Sequence, residues 1–404
     1  MVQPALSSLT LGYRPLWNGA RQLAGVQLYL DADPALDVDV PHFLHILQEM
    51  WTATAPPLLL SPQSRQLLGA FLEHAPAGSP WLEVRGEWLA DSTLHALARA
   101  AHARGLKLVW RGPLGDLPDA ATAQWFTSSL LSLSPQESLA LLQPAGPTST
   151  SALLDGQMYE SLHSRNLLTR CLNEHRAAAI AGWPTEDVLH SLRSRAALPQ
   201  RQQVLALMQA IDAEQSLEAF EAILGQDPVL AYRFLLYTNS AGLGLRSAVE
   251  SLRRGLVMLG YGQLQRWLSD QLPHADTEPD LLPVRAAMVM RAQLTERLIE
   301  AGIGHELQRE VYLCGLFSQL DLLLDEPLAS SLRRLPLSER VYQAIVSHNG
   351  PYAPSLAMAQ ALEQPDGDTI RSLCKTHELE LESVNRNLLR MLRDLSVPAR
   401  STIG

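Results

Sequence analysis

Lysine is almost missing from this 404-residue chain: of 32 basic residues only Lys107 and Lys375 are Lys, and the rest are Arg. This Arg-, Ala- and Leu-heavy usage reads as genomic base composition, and no function is taken from it. Cysteine is also scarce. Cys171, Cys314 and Cys374 are odd in number and far apart, with no CxxC pair. That excludes a disulfide framework and a thiolate zinc site, and it points to a reduced, cytoplasmic compartment. No run reaches the roughly 18–20 uncharged apolar residues of a membrane span. The opening Met1-Val2-Gln3-Pro4 lacks the basic start and apolar run of a signal peptide. A basic excess is missing too. The net charge is −10, with 17 acidic against 12 basic residues over 1–193 and 25 against 20 over 194–404. Neither half has the clustered cations that duplex nucleic acid demands. There is no HExxH, no GxSxG and no glycine-rich phosphate loop; Gly242-Leu243-Gly244 lacks the third glycine and follows no strand.

What is present is core material. The chain is 47% apolar and 18% charged, enough to bury two or three domains. The first 190 residues alternate short apolar runs with helical spacing. The expected strands are Leu9–Leu16, Gly25–Leu30, Pro57–Leu60, Trp81–Val84, Leu106–Trp110, Trp125–Leu131, Ser151–Leu154 and Ala177–Ala181. Strand–helix alternation argues for a mainly parallel sheet with crossover helices. About eight strands in so short a stretch predict a closed α/β barrel. Seven of the eight Trp lie in this half, where core packing accounts for most of them.

From about Ser191 the strand-like runs disappear. A polar, Arg-rich joint ends at Leu198-Pro199, and the expected domains are therefore 1–193 and 194–404, the second all-α. Ser216 is placed to cap one helix. Asp227-Pro228 opens the next, since Asp accepts from free backbone amides and Pro suits the first turn. Asn239 and Ser240 stand where that helix should stop. Ser247-Ala248-Val249-Glu250 fits a capping box, for a helix expected to end at Leu259-Gly260.

Asp227-Pro228-Val229-Leu230, the run Leu235 to Ala241 and Ser251-Leu252 leading to Met258-Leu259-Gly260 resemble the HDOD domain, an all-helical relative of the HD phosphohydrolases. The resemblance covers about 200 residues. HD hydrolases hold divalent metal with paired His and Asp, and the chain has no His-Asp dipeptide. Ser318 and Gln319 stand at the corresponding place, and neutral hydroxyl and amide groups are poor sole ligands for a catalytic ion. The resemblance thus implies a partner-binding module rather than an enzyme.

The first half resembles a degenerate EAL domain, a barrel whose active members hydrolyse cyclic di-GMP. Tyr13-Arg14-Pro15-Leu16 is similar to the family's opening Tyr-Gln-Pro-Ile strand. Gly25-Val26-Gln27-Leu28 falls at the signature segment, so Gln27 replaces a metal-binding Glu. Leu82-Glu83-Val84 keeps one carboxylate, Glu83. Arg111-Gly112 stands where Asp-Asp should be, Thr127–Leu131 lacks the family's Lys and Asp, and Ala181-Gly182 replaces Gln-Gly. Two-metal phosphodiester cleavage needs several hard oxygen ligands, and Arg111 adds a fixed positive charge that repels a cation. The resemblance implies no metal, no cofactor and no catalytic residue. Glu83 is expected to pair with Arg85 or Arg111.

Barrel plus HDOD domain resembles the EAL–HDOD two-domain signalling architecture of bacteria. It implies a non-catalytic scaffold that binds other signalling proteins, with a homodimer open. An alternative is a cyclic di-GMP sensor without hydrolysis, in which Arg14 and Arg111 contact phosphates and Trp17 or Trp110 stacks on guanine. A third reading is an active phosphodiesterase dependent on Glu83.

Overall fold

A computed structural model describes residues 5–33, 38–142, 153–193, 195–243, 248–299 and 304–395. Residues 1–188 together with 361–404 form one compact unit, and residues 189–360 form the other. The second unit is thus an insertion: residues 361–395, expected in the helical domain, return to the barrel unit.

Eight strands close the barrel in sequence order. They are β1 (Leu9–Trp17), β2 (Leu23–Ala32), β3 (Leu58–Pro62), β4 (Trp81–Arg85), β5 (Leu108–Pro113), β6 (Phe126–Ser132), β7 (Met158–Glu160) and β8 (Ala179–Ala181). β1 runs antiparallel to both its neighbours, β2 and β8, and the other pairings are parallel. Strands buried on both faces need continuous apolar runs, which is why Leu58-Leu59-Leu60 and Leu108-Val109-Trp110 read so clearly. The seventh strand is the exception. Residues 151–152 of the expected strand lie outside the described residues, Leu153 and Leu154 are not in a strand, and β7 forms at Met158–Glu160 instead.

The interior is layered by the two-residue period of the strands. Leu16, Leu59, Val109, Leu130, Met158 and Ala179 make an apolar floor. Two residues further along β3, β5 and β7 come Ser61, Arg111 and Glu160, so a polar layer lies toward the C-terminal ends. Surrounding helices begin on side-chain caps: Ser64 accepts from the Leu67 amide, and Asp91 from those of Thr93 and Leu94.

The β1–β2 ribbon outruns its neighbours. β2 pairs with β3 only as far as Leu30, but with β1 as far as Leu9–Ala32. The C-terminal helices Gly367–Thr376 and Leu381–Arg393 pack against β1. The second helix buries Val384, Leu388, Leu389 and Leu392 on one face. Asn385 sits fully buried among them. Its Nδ2 donates to the Leu6 and Leu9 carbonyls at 2.8 and 2.7 Å, and its Oδ1 accepts from the Leu11 amide at 3.2 Å. Arg371 donates to Thr10 Oγ1 and Asp31 at 2.9 and 2.8 Å. Gly12 lets this segment close in, since a Cβ there would lie 2.5 Å from the Gln364 carbonyl oxygen.

In the helical unit, Asp227 and Ser216 cap as expected. The expected capping box does not open the following helix. Ser247 lies outside the described residues, and the helix Leu252–Gln271 starts instead on Ser251, whose hydroxyl accepts from Arg254 N. The helical run does leave helical geometry at Gly260, as expected: the residue adopts φ 68°, ψ 165°, a conformation open to glycine at no steric cost, and across this kink a second helical run continues to Gln271. No described helix is long and apolar enough to cross a membrane.

Two predictions follow from the packing. Asn385→Ala strands three buried backbone groups and costs on the order of 3 kcal/mol, read as a lower urea midpoint of the barrel transition. Burial pushes the Cys171 and Cys314 thiols up to about 12, and Cys374 upward as well. Native protein at pH 8 should therefore resist thiol reagents, with all three cysteines labelling only in denaturant.

Candidate functional site

The polar layer of the barrel gathers residues from four strands around one guanidinium. Arg111 on β5 donates from Nη1 to Glu83 Oε1 on β4 at 2.8 Å. It also donates from Nε and Nη2 to the two carboxylate oxygens of Glu160 on β7, at 2.7 and 2.9 Å. The second contact is bidentate, the geometry that suits a planar guanidinium best. Gln27 Nε2 on β2 donates to Glu83 Oε2 at 2.7 Å, and Tyr29 OH donates to Gln27 Oε1 at 3.2 Å. Arg14 on β1 reaches Glu160 Oε2 at 3.3 Å and lies over the Tyr29 ring, 5.5 Å from its centroid. Both carboxylates are buried, with side-chain exposures of 1% for Glu83 and 6% for Glu160.

Charge closes within this layer: two carboxylates face two guanidinium groups. Burial pulls the Arg111 pKa down, but the Glu83 and Glu160 charges outweigh it and hold Arg111 above the ordinary arginine value. Burial pushes the Tyr29 phenol up to about 12 against the pull of Arg14 and Arg111, so it stays neutral as a donor. The residues present do not fit a divalent ion. A cation already lies between the carboxylates, Gln27 offers a neutral amide, and Gly112 offers no side chain. Among the described residues no three His, Cys, Asp or Glu side chains come together.

The expectations for individual residues divide here. Arg111, not Arg85, takes Glu83; Arg85 donates to Gln63 Oε1 at 2.7 Å instead and lies over Trp88. Arg14 and Arg111 meet across Glu160. The proposed stacking residues do not join them. Trp17 is buried edge-on against Trp183, and Trp110 is buried edge-on against Phe126. Glu160 was not foreseen. It adds a second buried carboxylate to the layer, where the sequence suggested only Glu83. With the seventh strand drawn at Ser151–Leu154, Glu160 fell into a presumed connection. The signal was there in Met158-Tyr159-Glu160, two strand-forming residues ahead of an acid.

Arg14 also lines a cleft of about 470 Å³ with Ser161, His163 and the loop Gly182–Asp187. Gly182 in that loop has φ 79°, a backbone conformation that favours glycine, and a Cβ there would only touch Arg14 Cδ in ordinary contact at 3.6 Å.

The motif residues of the helical unit are structural. Asp227, fully buried, accepts from the Val229 and Leu230 amides at 2.9 and 3.3 Å. It also holds Arg285 Nη1 at 2.7 Å, and Arg285 Nη2 reaches the Leu198 carbonyl and Asp276. Pro228 opens the helix. Asn239 Nδ2 donates to the Leu235 and Val249 carbonyls while Oδ1 accepts from Val249 N, pinning the loop after that helix. Ser240 is exposed and Leu259 buried. Ser318 and Gln319 fall at the break between the helices His305–Phe317 and Leu320–Leu324. Ser318 Oγ donates to the Gly315 carbonyl at 2.8 Å and accepts from Arg291 at 3.4 Å.

Residues 198–324 match the HDOD domain. The cyclic di-GMP phosphodiesterase CdgJ of Vibrio cholerae is 25% identical over 173 residues, 43% of this chain and 40% of that protein. The uncharacterized protein YuxH of Bacillus subtilis is 26% identical over 151 residues, 37% of each. The matched region thus spans about two fifths of each relative. Among solved structures, the MmoQ response regulator of Methylococcus capsulatus superposes with a TM-score of 0.41 at 16% identity, over 48% of this chain and 98% of that one.

Two substitutions test these centres. Arg111→Met leaves Glu83 buried with only the Gln27 amide and Glu160 with Arg14 alone, and costs about 3–5 kcal/mol at pH 7. Urea melts at pH 7 read the loss. Asp227→Ala removes the buried partner of Arg285 Nη1 and leaves Asp276 as its carboxylate; it should lower the stability of the helical unit by a similar amount, about 3–5 kcal/mol, followed by far-UV circular dichroism.

Proposed function

We propose that this chain, of the EAL–HDOD two-domain type, is a non-catalytic cytoplasmic scaffold that binds other proteins in a cyclic di-GMP-related signalling pathway. The observation that carries the proposal is the Arg111 guanidinium bonded to both Glu83 and Glu160. A tethered cation there neutralises the acids that metal-dependent hydrolysis would need free. The name of the Vibrio cholerae relative supports the link to that pathway, and the HDOD match supports reading residues 198–324 as the partner-binding module.

The experiment is incubation of the full-length chain with cyclic di-GMP and Mn²⁺ or Mg²⁺, with affinity capture from the native cell in parallel. The expected outcome is no linear dinucleotide product and a stable protein partner. Turnover that disappears in Glu83→Gln would overturn the proposal.

One observation favours a second reading, that of a sensor. Arg14 makes a single ion pair, at 3.3 Å, keeps a quarter of its side chain exposed and faces the cleft. Titration calorimetry with cyclic di-GMP in the absence of metal decides it. Binding that is lost in Arg14→Ala supports a sensor, and no heat in the wild type refutes it.

A further inference from the structure

The chain order of the two units has a thermodynamic consequence. The barrel's strands end with β8 at Ala181, the chain passes through residues 189–360, and it then returns to the barrel unit at Ala361. What returns is a fastening. Gln364 lies against Gly12, Arg371 bonds Thr10 and Asp31, and Asn385 bonds the backbone of Leu6, Leu9 and Leu11. Gly367 belongs to it too, because any Cβ there would collide with the Asp31 carboxylate.

The strands that it fastens are the ones that carry Arg14, Gln27 and Tyr29. β1 bears the contacts at Leu9–Gly12 and Arg14 two residues on. β2 bears Asp31, with Tyr29 two residues before it and Gln27 two before that. The register ties them together, with Gly12 opposite Tyr29 and Arg14 opposite Gln27. Loosening the outer end of this ribbon removes the support of one side of the polar layer.

We infer that residues 361–395 are a clasp whose hold on the β1–β2 ribbon depends on the helical unit being folded, so that the insertion governs the order of the barrel's polar centre. A folded insertion fixes the separation of its two ends, and the clasp closes at no further cost in chain entropy. An unfolded insertion turns residues 189–360 into a flexible loop that the clasp must close by itself. Closure entropy for a loop of that length weakens the clasp on the order of a thousandfold. No contact between the units is required, and a partner that binds only the folded helical unit tightens the ribbon by mass action. The inference is independent of whether the barrel binds a ligand.

Hydrogen exchange of the full-length chain tests it, with peptides from β1–β2 and from the helices Pro228–Thr238 and Leu282–Leu298. Asp227→Ala loosens the helical unit through its buried ion pair, far from the clasp in sequence. Exchange over residues 9–32 should then accelerate at least about tenfold, alongside that of the helices. Asn385→Ala should accelerate exchange over 9–32 while leaving the helices unchanged. The inference falls if Asp227→Ala opens the helices and the β1–β2 peptides keep wild-type protection. Should Asp227→Ala fail to accumulate, wild-type exchange in sub-denaturing urea gives the same decision. The ribbon must open with the helices, and a ribbon that stays protected after the helices have opened refutes the clasp.

Discussion

A guanidinium held between two buried carboxylates organises the barrel. Removing charges from water costs several kcal/mol per ion, and the cost is met only where geometry and hydrogen bonding are good. Arg111 meets that condition with three contacts between 2.7 and 2.9 Å. Its partners sit on β4 and β7, on either side of the β5 strand that carries it, so the contacts tie non-adjacent strands across the interior. The apolar floor beneath excludes water and strengthens each contact. A polar layer with an excess of acid would need a cation from solution, whereas this one supplies its own.

The helical unit solves a similar problem in the same way. Asp227 is fully buried, and its charge is shared between two helix-start amides and Arg285. Arg285 then reaches Leu198 and Asp276, so one ion pair fixes the start of a helix and two segments remote from it in sequence. In both units the strongest electrostatic interactions are spent on internal order. What remains for recognition lies at the periphery, in the Arg14 cleft and on outer helix faces. That distribution is the ground on which the proposed binding role rests, because catalysis needs charge left unsatisfied until the transition state.

Local rules made the fold legible. Strands buried on both faces announce themselves as unbroken apolar runs, and Asp227-Pro228 announces a helix start whatever surrounds it. The misplacements have physical reasons. β7 is three residues long, Met158–Glu160, too short for periodicity to assert itself, and it ends on an acid that sequence alone assigns to solvent. Gly260 reads as a helix stop and the backbone does break there, but sequence alone does not tell that a second helical run follows at once. Arg111 was legible as a departure from a family pattern and Glu83 as a residue that keeps it. Their pairing was legible as one of two alternatives, and the choice between Arg85 and Arg111 depends on register across the barrel. The return of residues 361–395 lay beyond reach for the same reason. An amphipathic helix declares that it has a buried face, but not which surface covers it.

That return changes what a two-domain chain means here. Domains strung end to end influence each other only through a linker or an interface. An insertion is different, because its host is closed only while both crossings hold. Asn385, Arg371 and Gly12 show where the host is closed, and they do so on the ribbon that also carries Arg14, Gln27 and Tyr29. The most perturbable part of the barrel is therefore the part nearest its polar centre. The arrangement gives events in one unit a way to be felt in the other. The coupling runs through chain entropy, and no side-chain chemistry in the barrel is needed to carry it.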